Sequence, residues 1–81
     1  MSKIPRDISG LELAKLLSKY GYNTERQKGS HIRLTTNFNN AEHHITIPDK
    51  DSIKIGTLNN ILIDVAGFLG IDKKELIEKL F

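Results

Sequence analysis

Two short segments alternate strictly between apolar and polar residues, and this period of two restricts the fold more than any other feature. In "SHIRLTT", Ile32 and Leu34 point to one side of a strand, while His31 and Arg33 point to the other. "HHITIP" repeats the alternation until Pro48 ends it. The turn-prone "NFNNAE" separates the two segments. The sequence therefore predicts an antiparallel hairpin with one face on the core.

Amphipathic helices are predicted on both sides of this hairpin. "SGLELAKLLSKYG" begins with Ser9 and Glu12 at the spacing of a capping box and ends at Gly21. "GTLNNILIDVAGFLG" carries apolar residues at helical spacing, with Thr57 as its predicted N-cap and Gly70 as its stop. Each pattern has a defined beginning and end.

The remaining segments complete the predicted topology. "YNTERQK" is polar with a period near two, and we interpret it as an edge strand that turns at Gly29. Asp72 and Glu75 have capping-box spacing before a short last helix. We expect one α+β domain over residues 1–81: a three-stranded antiparallel sheet with helices on one face, in the order α-β-β-β-α plus a short C-terminal helix.

Composition narrows the class of protein. The chain has 81 residues and no cysteine, which excludes disulfide scaffolds and thiolate nucleophiles. It shows no signal-peptide pattern and no apolar run of membrane-spanning length, so a cytoplasmic protein without a membrane partner is expected. Residues 1–34 hold seven Lys/Arg and three acidic residues, whereas the rest holds five and seven. A basic first part favours a polyanionic partner such as nucleic acid.

Helices on one side leave the other face of the sheet open to solvent. If the hairpin turns at positions 39 and 40, residue numbers across it sum to 79, so His31 lies opposite Pro48 and His44 opposite Thr35. The two histidines are then roughly 13 Å apart and would not act on one phosphate. Lys50 is the better neighbour for His31. The open face is expected to carry His31, Arg33, His44 and Thr46, with Arg26 and Lys28 near the first turn.

His31 is the candidate catalytic residue. An imidazole can accept and donate a proton near neutrality. Beside RNA it could take the proton of a 2′-hydroxyl, so that the oxygen attacks the adjacent phosphorus, with Lys28, Arg33 or Lys50 offsetting the phosphate charge. Such a reaction needs no metal. The alternative is a solvent-facing strand histidine with no role, and the pattern alone leaves both open.

Other short motifs could bind phosphate or metal. In "KGSH", Gly29 lets the backbone approach closely and Ser30 offers a hydroxyl, although the same residues also make an ordinary hairpin turn. The start of the "GTLNN" helix, preceded by Lys54, is a second possible anion site or simply a helix start. His43 and His44 point to opposite faces of a strand and are not expected to share a metal ion. We expect His43 to be partly buried and His44 to lie at the surface, where it could touch RNA.

The last third of the chain permits another function. "NNILIDVAGFLGIDKKELIEKL" could form a DNA-binding helix-turn-helix. Its second helix carries Lys73, Lys74 and Lys79 against three acidic residues, which is a poor recognition surface. A structural role for this helix pair is preferred, and a non-catalytic nucleic-acid-binding module is the alternative function.

The order of these motifs resembles a known family. "LAKLLSKYGYNTERQKGSHIRL", then "HITIP", then "GTLNNILIDVAGF" are similar to the HicA-type mRNA interferase toxins of prokaryotic toxin–antitoxin systems. The likeness covers about residues 5 to 80. Its most specific parts are "RQKGSH" and the proline that precedes a helix opening with "GTL".

This resemblance implies a fold similar to double-stranded RNA-binding domains and metal-independent cleavage of mRNA that halts translation and growth, without a cofactor. It implies a HicB-type antitoxin as partner, and we expect a monomer in its absence. His31 falls on the family's catalytic histidine, and Gly29 and Ser30 on the two residues before it. Many members carry a histidine where this chain has Lys50. His31 is then the sole proton-transfer candidate, with Lys50 as an electrostatic aid.

Overall fold

A three-stranded antiparallel sheet follows one helix and precedes two others. A computed structural model describes residues 7–38 and 40–81, with the backbone alone at Arg26 and Lys28. The elements are helix α1 (Gly10–Leu17), extended by a 3₁₀ turn over Ser18–Tyr20, strands β1 (Asn23–Lys28), β2 (His31–Phe38) and β3 (Ala41–Pro48), and helices α2 (Ile55–Leu69) and α3 (Lys73–Leu80). This is the predicted α+β fold, with the helix and sheet order of double-stranded RNA-binding domains.

The strand register agrees with the alternation of the sequence. β2 lies between β1 and β3 and is antiparallel to both. His31 pairs with Pro48 and Thr35 pairs with His44, which confirms the predicted register of the hairpin. The turn between these strands includes Asn40 at φ 61°, a left-handed conformation that asparagine adopts more readily than most residues.

The core fills the space between the sheet and the helices. β2 and β3 bury Ile32, Leu34, Ile45 and Ile47 on the same side of the sheet. Burying one such side chain contributes about 1.5–3 kcal/mol. The helices and connecting segments supply the opposing buried residues Ile8, Leu13, Leu17, Ile53, Leu58, Ile61, Leu62, Val65, Ala66, Leu76, Ile77 and Leu80.

The helix ends show which start and stop signals operate. The predicted capping box of α1 is confirmed, because Ser9 accepts from the Glu12 backbone amide and Glu12 accepts from the Ser9 amide. Gly70 ends α2 in a left-handed conformation, as predicted. The predicted N-cap at Thr57 is wrong: α2 begins at Ile55, one turn earlier.

The last helix also begins differently from the prediction. Asp72 occupies the N-cap position of α3, but its side chain makes no capping hydrogen bond, so the capping box with Glu75 is absent. Glu75 instead forms an ion pair with Lys79, Nζ to Oε2 3.3 Å, one helical turn later. Packing of Leu76, Ile77 and Leu80 therefore holds this helix in place more than its cap does.

A close approach fixes the position of α1 relative to β3. A Cβ atom added at Gly10 would overlap the carbonyl oxygen of Pro48 and lie 3.2 Å from Cα of Asp49. The backbone amide of Gly10 donates to the carbonyl of Lys50 at 3.0 Å, and that of Ile53 donates to Ile8 at 2.8 Å. The start of α1 thus holds the segment that follows β3.

Candidate functional site

His31 is the first residue of β2, at the end of the sheet where both neighbouring strands meet a turn or loop. Its Cα pairs with Lys28 on one side and with Pro48 on the other. The side chain is exposed, while the next residue, Ile32, is buried. His31 therefore lies on the face of the sheet opposite the core, as predicted.

The three histidines differ in whether their ring nitrogens are free. Nδ1 of His43 lies 2.7 Å from the Tyr22 hydroxyl and Nε2 lies 3.3 Å from Asp64. Both ring nitrogens of His44 are also bonded. Among the side chains that the structure describes, none forms a hydrogen bond or ion pair with the ring of His31. Within that set, His31 is the histidine whose nitrogens are available to a substrate.

His43 belongs to a network between the sheet and α2. Asp64 can only accept, so Nε2 of His43 donates to it, and Nδ1 then accepts from the Tyr22 hydroxyl. The His43 ring stacks on Phe68 with centroids 4.5 Å apart. Burial, and secondarily the charge of Asp64, raises the pKa of Tyr22 to about 12. His43 is half-buried on the core side, as predicted.

His44 is held by two carboxylates on the open face. Glu25 accepts from the Thr35 hydroxyl, so the Thr35 oxygen accepts from Nδ1 of His44 at 2.8 Å. Nε2 of His44 contacts Glu42 at 2.5 Å, and a carboxylate there requires a donor. Both ring nitrogens of His44 are therefore occupied by neighbouring side chains of the fold. His44 is exposed as predicted, and its role in RNA binding remains a prediction.

A bulge in β1 brings Glu25 to this cluster. The register shifts between Thr24 and Arg26, so that Glu25 has no partner of its own in β2. Its carboxylate lies 3.3 Å from Nδ1 of His44 and 3.9 Å from Nε of Arg33. The Thr35 hydrogen bond, aided by the charges of Arg33 and His44, lowers the pKa of Glu25.

The predicted cationic residues lie at different distances from His31 along the chain. Arg33 is exposed, two residues along the same strand, and Lys50 is exposed two residues after Pro48, the partner of His31. Lys54 is exposed at the N-cap position of α2, and its side chain does not cap that helix. The backbones of Arg26 and Lys28 pair with Arg33 and His31, whereas the positions of these two side chains lie outside the described residues.

The turn formed by Gly29 and Ser30 is open to solvent. Gly29 has φ 59°, and a Cβ added there would meet no atom within 4 Å. Ser30 is exposed, although its carbonyl oxygen is occupied by the backbone amide of Asp49 at 2.7 Å. The structure thus brings Gly29, Ser30, His31 and the segment containing Lys50 together at one end of the sheet.

Neither a metal-ligand cluster nor a single membrane-spanning helix lies in the described part of the chain. Residues 7–38 and 40–81 contain no group of three or more His, Asp or Glu side chains placed to hold a metal ion. Of the helices in this part, none alone is long and apolar enough to cross a membrane. Taken together, α2 and α3 have the length and apolar composition of a span, but the two helices are bent by 106° relative to each other.

Comparison with protein families identifies the chain. The family model for the HicA toxin of bacterial toxin–antitoxin systems matches residues 10–67, from the start of α1 to the last turns of α2. The chain belongs to the HicA toxin family. A HicA toxin is one half of a toxin–antitoxin pair, so this chain has an antitoxin as its partner. No curated protein and no solved structure is significantly similar to it.

The family match bears on the helix-turn-helix alternative for this HicA toxin. The matched segment ends before α3, the helix that would read DNA. In α3, Lys73 donates to the side chain of Asn59 in α2, and Lys79 is paired with Glu75. These contacts favour the structural interpretation of the last two helices.

Sequence reasoning missed three residues that shape the His31 end of the sheet. Gly10 allows the close approach of α1, and its signal was only a small residue after an N-cap serine. Gln27 and Asp49 are joined by a 2.6 Å hydrogen bond between side chains 22 positions apart. No local sequence pattern predicts a contact over this separation. The one available signal was an aspartate directly after the proline that ends β3.

Proposed function

We propose that this HicA toxin is an endoribonuclease that cleaves mRNA without a metal ion or cofactor, with His31 as its general acid and base. The observation that carries the proposal is the state of the three histidines. His31 is exposed with ring nitrogens unbonded by any described side chain, whereas His43 and His44 use both of theirs within the fold. A proton-transfer group needs a free nitrogen that a substrate can reach.

The reaction is an internal transesterification of RNA. The unprotonated His31 ring takes the proton of a 2′-hydroxyl, and the 2′-oxygen bonds to the adjacent phosphorus. The bond from phosphorus to the 5′-oxygen breaks, and the leaving oxygen receives a proton from the imidazolium or from water. The products are a 2′,3′-cyclic phosphate and a 5′-hydroxyl.

Cations around His31 are proposed to hold the RNA backbone. Lys50 and Arg33 offset the charge that builds on the phosphate oxygens, since fixed positive groups stabilise such a transition state. The turn at Gly29 and Ser30 binds the phosphate through donors such as the Ser30 hydroxyl. Lys54 contacts the RNA backbone further along. Arg26, Lys28 and His44 complete the proposed RNA contacts. The positive first part of the sequence supports this assignment.

The biological consequence follows from cleavage of mRNA. Loss of intact messages stops translation and growth in the cytoplasm, and a HicB-type antitoxin is the proposed inhibitor. Because the open face of the sheet carries His31, an inhibitor that covers this face would exclude RNA directly. This arrangement needs no conformational change in the toxin.

Growth under induced expression tests the proposal in cells. Induction of the unmodified gene is expected to arrest growth. His31→Ala is expected to leave the fold intact, because an exposed side chain contributes little to packing, and to abolish the arrest, because it removes the proton-transfer group. Asn37→Ala is the matched control: it removes another exposed polar side chain from β2 and should still arrest growth. Arrest by a folded His31→Ala protein at equal expression would overturn the proposal. RNA affinity without cleavage would favour the non-catalytic binding module.

A further inference from the structure

One side-chain hydrogen bond spans the end of the sheet where His31 lies. Nε2 of Gln27 donates to Oδ2 of Asp49 at 2.6 Å. Gln27 belongs to β1 and Asp49 directly follows β3, and these are the two strands on either side of β2. The bond therefore passes across the start of β2. Gln27 pairs with the buried Ile32, and paired residues point to the same face of a sheet, so the Gln27 side chain lies on the core side. The bond does not cover His31, which is on the opposite face.

The backbone of Asp49 makes a second contact across the same end. Its amide donates to the carbonyl oxygen of Ser30 at 2.7 Å. Asp49 thus holds the residue before His31 through its main chain and β1 through its side chain. The turn before β2 and the loop after β3 are fixed to each other by these two bonds.

Lys50 depends on the same arrangement. Its amide donates to the carbonyl of Pro48 at 3.0 Å, and its carbonyl accepts from the amide of Gly10 at 3.0 Å. These bonds fix the backbone of Lys50 on the side of β3 and α1, while Asp49 fixes it on the side of β1 and Ser30. The Lys50 side chain is exposed, but the position of its Cα is fixed by these backbone hydrogen bonds.

We infer that Gln27 and Asp49 are positioning residues of the ribonuclease site, which keep the Ser30 turn and Lys50 in register with His31. The inference rests on the proposed function. Neither residue is assigned contact with RNA or with the reacting atoms. Catalysis by a positioned base depends steeply on the placement of the groups around it, so loosening this contact slows the chemical step more than it weakens RNA binding.

Loss of the Asp49 charge and loss of its hydrogen bond to Gln27 should have opposite effects, so the two can be separated by substitution. A carboxylate beside bound RNA repels phosphate, so removing its charge alone would tighten RNA binding. Asp49→Asn removes the charge and keeps an oxygen that accepts from Gln27. Asp49→Ala removes both. Asp51→Ala is the matched control, since it removes an exposed carboxylate two positions away that has no hydrogen bond to a described residue.

Steady-state cleavage of a short RNA by these purified proteins tests the inference. Asp49→Ala and Gln27→Ala should each lower kcat by about tenfold, the scale of one hydrogen bond to a charged group, with KM changed by less than about threefold. Asp49→Asn should restore most of kcat, and Asp51→Ala should retain all of it. The double variant should be no slower than either single variant, because both substitutions break one bond.

Equal kcat in the unmodified protein and Gln27→Ala would overturn the inference, as would equal losses in Asp49→Ala and Asp49→Asn. Amide hydrogen exchange separates this failure from failure of the proposed function. The Asp49 amide should exchange faster in Gln27→Ala than in the unmodified protein, whether or not RNA is cleaved. Faster exchange in Gln27→Ala, with no RNA cleavage by any of the proteins, would contradict the ribonuclease function but support the structural role of the Gln27–Asp49 hydrogen bond. Unchanged exchange would refute the contact itself.

Discussion

The Tyr22 hydroxyl lies 2.7 Å from Nδ1 of His43, and this bond joins the residue before β1 to β3 inside the fold. Tyr22 is 1% exposed, so its phenol has left water for a site that favours the neutral form. His43 is held in turn by Asp64 and Phe68 of α2. His43 therefore connects Tyr22 to the helix layer behind the sheet.

Stability at high pH should reveal the burial of the Tyr22 hydroxyl. Burial raises the pKa of Tyr22 from 10.0 to about 12, so the unfolded chain loses this proton first. Between those values the folded state binds more protons, and the free energy of unfolding falls as pH rises. Denaturant unfolding from pH 8 to pH 12 measures the decline. Tyr22→Phe should be less stable at pH 8 by about 1 kcal/mol and should lack this part of the decline. An identical decline in both proteins would contradict the assignment.

Substitution at Gly10 should destabilise the fold sharply. An alanine Cβ would overlap the Pro48 carbonyl oxygen, which belongs to backbone that cannot rotate away. We expect Gly10→Ala to lower the free energy of unfolding by about 1–3 kcal/mol, as overpacking commonly does. Gly67→Ala is the control, because a Cβ there meets no atom within 4 Å and alanine favours the helix by about 1 kcal/mol. Urea unfolding should give the two variants opposite signs.

Acid should weaken the cluster around Glu25. The hydrogen bond from Thr35, with the charges of Arg33 and His44, lowers the pKa of Glu25 below its ordinary value of 4.5. The stabilisation is present above that value and is lost as pH falls through the lower pKa of the folded state. The free energy of unfolding should therefore fall less between pH 7 and pH 3 in Glu25→Gln than in the unmodified protein. Asp51→Asn controls for net charge, and an equal narrowing there would count against a specific cluster.

Salt dependence should test the proposed contact between Lys50 and RNA. If Lys50 contacts a phosphate, Lys50→Ala should weaken RNA binding and reduce the slope of log affinity against log salt by about 0.7, the value for one contact on a single strand. Lys74, exposed on α3, is the matched control. Lys74→Ala should change neither quantity. A larger loss in Lys74→Ala would favour the helix-turn-helix alternative.

Alternation and turn residues were enough to predict the sheet. Each pair from His31 with Pro48 to Thr35 with His44 follows from one apolar face and a two-residue turn, because a slip by one position would bury the polar face. The bulge at Glu25 was not predictable in the same way. Its strand is polar on both faces, so no pattern of burial fixes the register there.

Features that depend on contacts distant in sequence were missed. Threonine often caps helices, so the sequence predicts the N-cap of α2 at Thr57, yet the helix starts at Ile55, two residues after the buried Ile53. The bond from Gln27 to Asp49 joins segments that meet only after the sheet has formed. The exposure of His31, by contrast, followed directly from its position between a turn and a buried isoleucine.

The chemical ends of the RNA fragments test the central claim most directly. Purified protein incubated with RNA and excess EDTA should produce 2′,3′-cyclic phosphate and 5′-hydroxyl ends, and an RNA with a 2′-deoxynucleotide at the cleaved position should remain intact. His31→Ala should give no such fragments while unfolding at the same denaturant concentration as the unmodified protein. Fragments with 5′-phosphate ends, or undiminished cleavage by folded His31→Ala, would contradict the role assigned to this histidine.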